Sequence, residues 1–127
     1  MKKEIISTNN APEAIGPYSQ AVKVGSMIYT SGQIPINPKT GEMVSDSIEE
    51  EARQAMENLK AVLEAAGSGL NSVIKTTLYI KDMNCFAAVN GVYSQYFKAP
   101  FPARSCVEVA RLPKDAGVEI EAVAIIE

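Results

Sequence analysis

The sequence contains no histidine among its 127 residues. Histidine is the commonest general base near neutral pH and the commonest metal ligand, so its absence also removes every Ser-His and Cys-His nucleophile pair. The cysteines are few and widely spaced, unlike those of a zinc motif. Any chemistry must therefore use carboxylates, tyrosines, lysines, hydroxyls, backbone groups or cysteine, and a zinc site is not expected.

Long apolar segments are also missing. No apolar run approaches the roughly 20 residues that span a bilayer, and the N-terminal stretch MKKEIISTNN lacks the apolar core of a signal peptide. We therefore expect a cytoplasmic protein. In that compartment, Cys85 and Cys106 are expected to be reduced thiols and not a disulfide.

Positive charge is not concentrated anywhere in the chain. The net charge is -3, and apart from Lys2-Lys3 the basic residues are scattered singly. Nucleic-acid binding usually requires a basic stripe that neutralises phosphates, so this class of function is disfavoured. The length predicts one domain over 1–127.

Residues 47–67 show the clearest helical pattern, with apolar residues at helical spacing. Ser47 and Glu50 match a capping box, and Gly67 is a natural C-terminal stop. The acidic triplet at 49–51 suits the positive end of the helix dipole, so we interpret it as a helix start and not as a ligand site.

The other elements follow from β-prone runs and turn residues. We predict that one strand begins at 5–7 and that further strands span 72–82, 104–112 and 118–127. A hairpin is predicted over 21–32, with a type II′ turn at Gly25-Ser26. A second helix is predicted over 83–97, capped by Asp82 or Asn84. The order β, β-hairpin, α, β, α, β, β predicts an α+β fold with two helices on one face of a mixed sheet. The long loops 8–20 and 33–43 are the expected places for function.

The last strand predicts that the second face of the sheet is also covered. Val118, Ile120 and the alternate residues after them point one way, while Glu119, Glu121, Val123 and Ile125 point the other. Since two helices cover only one face, the other face is expected to pack against a partner subunit. A more closed, barrel-like single chain is the alternative.

The stretch FPARSC, 101–106, places an arginine at the start of a strand that looks built for burial. A guanidinium is costly to desolvate without an anionic partner. Alternation puts Arg104, Cys106 and Glu108 on one face. An arginine and a partly buried carboxylate such as Glu119, with a raised pKa, are predicted to face a common cleft. An Arg-Glu ion pair at a subunit interface is the structural alternative.

Five motifs, colinear over essentially the whole chain, resemble the RidA/YjgF family, also called the L-PSP family. They are IGPYSQA (15–21), TSGQIP (30–35), VNGVY (89–93), FPARSCVEVARLPKD (101–115) and VEIEAVAI (118–125). The resemblance implies a single RidA-like domain with a chorismate-mutase-like fold, assembled as a homotrimer with clefts between subunits.

The resemblance also implies a reaction. Family members hydrolyse the enamines and imines 2-aminoacrylate/2-iminopropanoate and 2-aminocrotonate/2-iminobutanoate to 2-ketoacids plus ammonia. These substrates are released by pyridoxal-phosphate-dependent serine and threonine dehydratases. No cofactor and no metal is implied. The reaction needs orientation, a held water and a proton shuttle but no strong nucleophile, so a chain without histidine can perform it.

The motifs assign residues to this chemistry by resemblance. Arg104 would bind the substrate carboxylate and Glu119 would orient or activate water, with the Cys106 backbone helping to place it. Five further residues would line the cleft, namely Tyr18, Ser31, Gly32, Asn90 and Tyr93. By pattern alone, Tyr18 is equally a loop anchor, Ser31-Gly32 a strand end, Tyr93 a core residue and Cys106 a small buried thiol.

Two other functions stay open at this point. Family members are also described as translation inhibitors that cleave RNA, which the acidic charge balance disfavours. The third hypothesis is a protein-binding regulatory or chaperone-like module that uses the intersubunit cleft for recognition. It predicts that Arg104→Ala leaves function intact.

Overall fold

A computed structural model describes residues 2–126. Within this range, six strands form one mixed sheet: β1 (Lys3–Ile6), β2 (Ala21–Val24), β3 (Met27–Thr30), β4 (Val73–Ile80), β5 (Ala103–Glu108) and β6 (Val118–Ile125). The spatial order is β1-β2-β3-β6-β4-β5. The β4–β5 pair is parallel and the other pairs are antiparallel. The predicted α+β class and element order are confirmed.

Helix α1 (Ile48–Ala65) begins and ends where its capping residues predict. The Ser47 hydroxyl accepts a hydrogen bond from the Glu50 backbone N–H at 3.1 Å. Gly67 adopts φ +84°, and the Ser68 N–H donates to Leu63 O at 3.0 Å, as in a Schellman motif. The predicted start and stop are both confirmed.

Helix α2 (Phe86–Tyr96) begins three residues later than predicted, because a 3-10 turn over Met83–Cys85 precedes it. The Asp82 carboxylate accepts from the Asn84 N–H at 2.9 Å and therefore caps this turn. Of the two candidate caps, the structure selects Asp82.

The core lies between the two helices and one face of the sheet, which we call the inner face. Leu59 and Leu63 of α1 pack there with Ile28, Leu78 and Ile120, all at most 2 % exposed. Burying each such side chain stabilises the fold by about 1.5–3 kcal/mol. No helix described between residues 2 and 126 packs on the opposite, outer face.

Strand β6 alternates as the sequence predicts. Its first and every second residue are buried on the inner face, while Glu119, Glu121, Val123 and Ile125 are only partly buried on the outer face. Tyr29 of β3 and Val107 of β5 are exposed apolar side chains. The register of their strands places both on the outer face as well. Within one chain the outer face is therefore uncovered, as the hypothesis of a partner subunit requires.

The strand predicted over 104–112 is present but shorter, and the burial that its pattern suggests is not found within one chain. Strand β5 is an edge strand that ends at Glu108, and most of its residues are exposed in a single chain. Its apolar alternation resembles that of a central strand, but only β4 pairs with it. After Val109, whose N–H still donates to Ile80 O at 2.9 Å, the chain leaves the sheet toward a 3-10 turn at Pro113–Asp115.

The hairpin turn and the cysteines agree with expectation. Gly25 adopts φ +60°, as the first central position of a type II′ turn requires. Cys85 and Cys106 are both free thiols. None of the helices described between residues 2 and 126 is long and apolar enough to cross a membrane.

Candidate active site

Arg104 is held on the inner side of edge strand β5 by contacts that neutralise none of its charge. Its Nη1 donates to Asn90 Oδ1 of α2 at 2.6 Å. Its Cζ lies 4.8 Å from the centroid of the Tyr93 ring and 5.5 Å from that of Phe86. No ion pair among residues 2–126 involves Arg104. The guanidinium is thus oriented and exposed, with donors left for an anion.

Tyr93 supports this arginine from the core. Its hydroxyl is hydrogen bonded to the buried Thr76 Oγ1 at 2.8 Å, and its ring also contacts Phe97 at a centroid distance of 4.6 Å. Burial raises the pKa of Tyr93, against smaller opposite effects of Thr76 and Arg104. The hydroxyl is therefore directed into the protein, and the ring face is what Tyr93 presents to Arg104.

Cys106 lies two residues after Arg104 and is half-buried on the same face. Burial raises the pKa of its thiol, and the positive charge of Arg104 only partly counteracts this. A thiol with a raised pKa is a poor nucleophile near neutral pH. This agrees with the assignment of the Cys106 backbone, and not its sulfur, to the site.

A cleft of about 540 Å³ opens beside loop 8–20, where β3 and β6 meet. It is lined by four residues that the motifs assign, Tyr18, Ser31, Gly32 and Glu119. Glu119 is the acidic residue that β6 contributes to the lining. Burial raises the pKa of its carboxyl, and the charge of Glu121 adds to that effect. A carboxyl with a raised pKa retains a proton at a higher pH than an ordinary glutamate does, which suits a group that accepts and returns protons.

Gly32 is a glycine because of Glu119. A Cβ atom at position 32 would lie 2.7 Å from Glu119 Cδ and closer still to one carboxylate oxygen. The backbone at Gly32 needs no left-handed conformation, so space and not torsion is the constraint. The Ser-Gly pair of TSGQIP therefore has a physical reason that strand termination alone does not provide.

Ser31 and Gln20 hold loop 8–20 against the sheet. The Ser31 hydroxyl donates to Ser19 O at 2.5 Å. The buried Gln20 side chain accepts from Thr8 N–H at 2.7 Å and donates to Pro12 O at 2.7 Å. The sequence analysis did not identify Gln20, although a glutamine beside loop 8–20 is the kind of residue that satisfies loop backbone groups.

Lys114 is a second cleft residue that the sequence analysis missed. It lines the same cleft and adopts φ +55°, followed by φ +57° at Asp115. L residues seldom occupy this region, at a cost of about 1–3 kcal/mol each. Asp115 is held by the Lys81 ammonium at 2.6 Å. The PKDAG segment was identified only as a turn, because turn composition does not reveal which way a lysine points.

The site residues form two separate groups in one chain. Arg104 pairs with Thr76 of β4, whereas Glu119 pairs with Tyr79 of the same strand. Thr76 and Tyr79 are three residues apart, so their side chains lie on opposite faces of the sheet. The common cleft predicted for Arg104 and Glu119 is thus not formed within a single chain. We call the two groups the arginine half-site and the glutamate half-site.

Comparison with known proteins identifies the family. The model of the family described as Endoribonuclease L-PSP matches residues 8–126. The chain belongs to this family. It is the L-PSP or RidA/YjgF family that the sequence motifs resemble, and that prediction is confirmed.

Several L-PSP relatives are similar over nearly their whole length. A RutC family protein of Pyrococcus horikoshii is 59% identical over 125 residues, which cover 98% of this chain and 99% of the relative. The 2-iminobutanoate/2-iminopropanoate deaminase of Escherichia coli is 58% identical over 123 residues, covering 94% and 95%.

Solved L-PSP structures share the fold. Escherichia coli TdcF with bound serine has a TM-score of 0.93 and 52% identity, covering 98% of this chain and 99% of that one. A putative endoribonuclease of Thermotoga maritima has a TM-score of 0.96 and 54% identity, covering 100% and 99%. The α+β arrangement with two helices on a mixed sheet is therefore that of the family.

Proposed function

We propose that this protein is an enamine/imine deaminase. It hydrolyses 2-aminoacrylate/2-iminopropanoate and 2-aminocrotonate/2-iminobutanoate to 2-ketoacids plus ammonia. The observation that carries this proposal is the state of Arg104: it is oriented by an amide and two aromatic rings but has no carboxylate partner within residues 2–126. The relatives at 57–58% identity that are named 2-iminobutanoate/2-iminopropanoate deaminase support it.

The chemistry of an imino acid matches the two half-sites. Its carboxylate suits the fork of Arg104, whose orientation Asn90 maintains. Water adds to the protonated C=N carbon while the Glu119 carboxylate takes one of its protons. Glu119 then returns that proton to nitrogen, and the C–N bond breaks. The hydroxyl proton passes to the departing ammonia as the ketone forms. The products are the 2-ketoacid and ammonium, and Glu119 is regenerated.

The remaining assigned residues would position these groups. Tyr18, Ser31 and Gly32 line the glutamate half-site, where they limit the positions open to substrate and water. The Cys106 backbone, next to Arg104 on β5, would help to place the water, while the Tyr93 ring supports the guanidinium. Positioning of this kind can supply much of the rate enhancement of a reaction without a covalent intermediate.

We further propose that the protein is a homotrimer with its sites between subunits. The arginine half-site on edge strand β5 and the glutamate half-site lie on opposite faces of one sheet, so a second copy is needed to bring them together. The uncovered outer face and the exposed Phe101 just before β5 provide apolar surface for that contact. Three copies related by a threefold axis would form three equivalent sites.

The reaction requires a source of short-lived imino acids. Dehydration of serine or threonine by pyridoxal-phosphate-dependent dehydratases releases such compounds, and we propose this functional link. RNA cleavage is disfavoured, because the net charge is -3 and the basic residues do not form a stripe. The regulatory alternative leaves unexplained why Glu119 is held half-buried in the lining of a cleft.

The proposal is tested by coupling a serine or threonine dehydratase to the purified protein and following ketoacid release. Wild type is expected to accelerate release above the spontaneous rate. Arg104→Ala is expected to lower kcat/KM about 10- to 100-fold, because one charged hydrogen bond is worth about 1.5–3 kcal/mol and each 1.4 kcal/mol is tenfold.

The matched control is Arg53→Ala, which removes another exposed arginine whose guanidinium also donates to an amide, that of Gln95 at 2.8 Å. It is expected to keep wild-type activity. Light scattering must show that Arg104→Ala keeps the assembly of wild type. No acceleration by wild type would refute the deaminase assignment, and an active Arg104→Ala would refute the role of the arginine.

A further inference from the structure

Glu119 has an acidic neighbour that the mechanism above does not use. Glu121 follows it by two residues on β6, so both side chains lie on the outer face of the sheet. Across the β4–β6 ladder, Tyr79 is directly opposite Glu119 and Thr77 is directly opposite Glu121. Neighbours at these positions in an antiparallel pair are close enough to interact. Tyr79, Glu119 and Glu121 therefore form one cross-strand cluster on the outer face, of which Glu119 lines the cleft.

Tyr79 connects the two acids. Burial, the charge of Glu121, a hydrogen-bonding interaction with Glu121 and the charge of Glu119 all raise the pKa of Tyr79, in that order of size. The phenol is thus kept neutral, and from its place across the β4–β6 ladder it can donate to Glu121. A carboxylate held by such a donor has less freedom to turn away from Glu119.

Other charged or titratable groups also face Glu119. Loop 8–20 contributes Glu13 and Tyr18 to the lining of the cleft, and the turn before β6 contributes Lys114. Besides burial, Glu121 is the charged group that raises the pKa of Glu119. Lys114 is exposed and lies on a separate turn, whereas Glu121 shares the strand and face of Glu119. Lys81 follows Tyr79 by two residues, just past the end of the neighbouring strand, but its ammonium is paired with Asp115 at 2.6 Å. In the proposed assembly, Arg104 of a second copy also faces Glu119. Glu121 is the charged group that shares both the strand and the face of Glu119.

We propose that Glu121 and Tyr79 are positioning residues for Glu119: Glu121 supplies a fixed negative charge that favours the protonated form of the Glu119 carboxyl, and Tyr79 orients Glu121. This inference rests on the proposed deaminase function. In that reaction Glu119 must hold a proton taken from water long enough to return it to nitrogen. The negative charge of Glu121 helps Glu119 to retain this proton, whereas a Glu119 carboxyl without that neighbour would release it to solvent more readily.

The test is the pH dependence of kcat/KM for Glu121→Gln, Tyr79→Phe and the double variant. The acidic limb reports deprotonation of Glu119 in the free enzyme. Glu121→Gln removes a like charge, so this limb is expected to move to lower pH. Tyr79→Phe is expected to produce a smaller shift in the same direction. In the double variant the shift is expected to equal that of Glu121→Gln alone, since Tyr79 acts through Glu121.

A second measurement does not require activity. In protein labelled with carboxyl-¹³C glutamate, the Glu119 resonance is identified by its loss in Glu119→Gln and then titrated. Its midpoint is expected at lower pH in Glu121→Gln than in wild type. Glu64→Gln is the matched control, because it removes an equal charge from the exposed surface of α1, and it is expected to leave the midpoint unchanged.

The outcomes separate the two proposals. If wild type is active but neither the limb nor the NMR midpoint moves in Glu121→Gln, the role of Glu121 is overturned and the deaminase function stands. If the midpoint moves while wild type shows no acceleration, the electrostatic coupling stands and the proposed function fails. A Glu121→Asp variant keeps the charge, so the acidic limb of its pH profile is expected to stay near the wild-type position. A merely structural role of Glu121 would not require the limb to stay there.

Discussion

The Glu119 carboxylate lies against the α-carbon of Gly32, in the space that a Cβ atom would occupy. The two residues come from different segments, one on β6 and the other just after β3. Both residues line the cleft. Because their contact is a steric relationship and not a torsional one, even the smallest side chain at position 32 must displace the acid.

Gly32→Ala is therefore expected to lower kcat/KM of imine hydrolysis at least about tenfold, since displacement of a reacting group by about 1 Å is costly to catalysis. Gly69→Ala is the matched control. Gly69 has an extended backbone and nothing within 4 Å of an added Cβ, so its activity is expected to be that of wild type. Steady-state kinetics on both variants checks this, and an equally active Gly32→Ala would contradict the assignment of Glu119 as the proton carrier.

The division of the site between copies predicts complementation. Arg104→Ala and Glu119→Gln are each expected to be inactive as pure proteins. After unfolding together and refolding at equal amounts, three-quarters of randomly assembled cyclic trimers are mixed and each regains one intact site, which returns about a quarter of wild-type activity. Activity is measured before and after mixing, with either variant refolded alone as the control. Absence of any recovery would show that the two half-sites do not act across a subunit boundary.

Glu119 also predicts a pH effect on stability. Its folded-state pKa is raised by burial and by Glu121, so the native state binds a proton more tightly than the unfolded state. The contribution of Glu119 to the free energy of unfolding must then decrease as pH rises from the unfolded pKa, about 4.3, through the raised folded pKa. Glu119→Gln removes this penalty. The free energy of unfolding of Glu119→Gln minus that of wild type is therefore expected to be more positive at pH 8 than at pH 4. Urea unfolding at a fixed protein concentration measures it, and an equal difference at both pH values would contradict it.

The ring and the hydroxyl of Tyr93 are predicted to have separate roles. Tyr93→Phe leaves the buried Thr76 hydroxyl without its partner, which is expected to reduce the free energy of unfolding by about 1–3 kcal/mol. Its kcat/KM is expected to stay within about threefold of wild type, because the ring under Arg104 remains. Tyr93→Leu removes the ring and is expected to lower kcat/KM further. Denaturation and kinetics are measured for both Tyr93 variants, and again after Thr76→Val is added to each. Together these measurements distinguish the role of the ring from that of the hydroxyl.

Local patterns predicted the elements well because each depends on neighbouring residues. The cap at Ser47 and the stop at Gly67 were sufficient to locate α1, and the alternation of β6 correctly separated its two faces. Strand order is a long-range property, and no local pattern indicates that β6 inserts between β3 and β4. For that reason the sequence could not predict that Arg104 and Glu119 lie on opposite faces.

Side-chain contacts between distant segments were equally beyond local patterns. Asn58 lies on the buried face of α1, where the pattern predicts apolar residues, because its Nδ2 donates to Ile34 O at 3.1 Å and Ile36 O at 2.9 Å. The positive φ of Lys114 depends on the turn and on the Lys81–Asp115 pair. Such positions become interpretable only when the fold brings their partners together.

The amide of Gln20 has a consequence for how the protein responds to its surroundings. It ties Thr8 to Pro12, and these bonds retain the loop that carries Tyr18. An uncharged amide neither titrates nor attracts counterions, so these bonds hold loop 8–20 in place across changes of acidity and ionic strength. Variation of turnover with pH or salt would then originate in the charged groups of the site and in substrate encounter, and not in release of this loop.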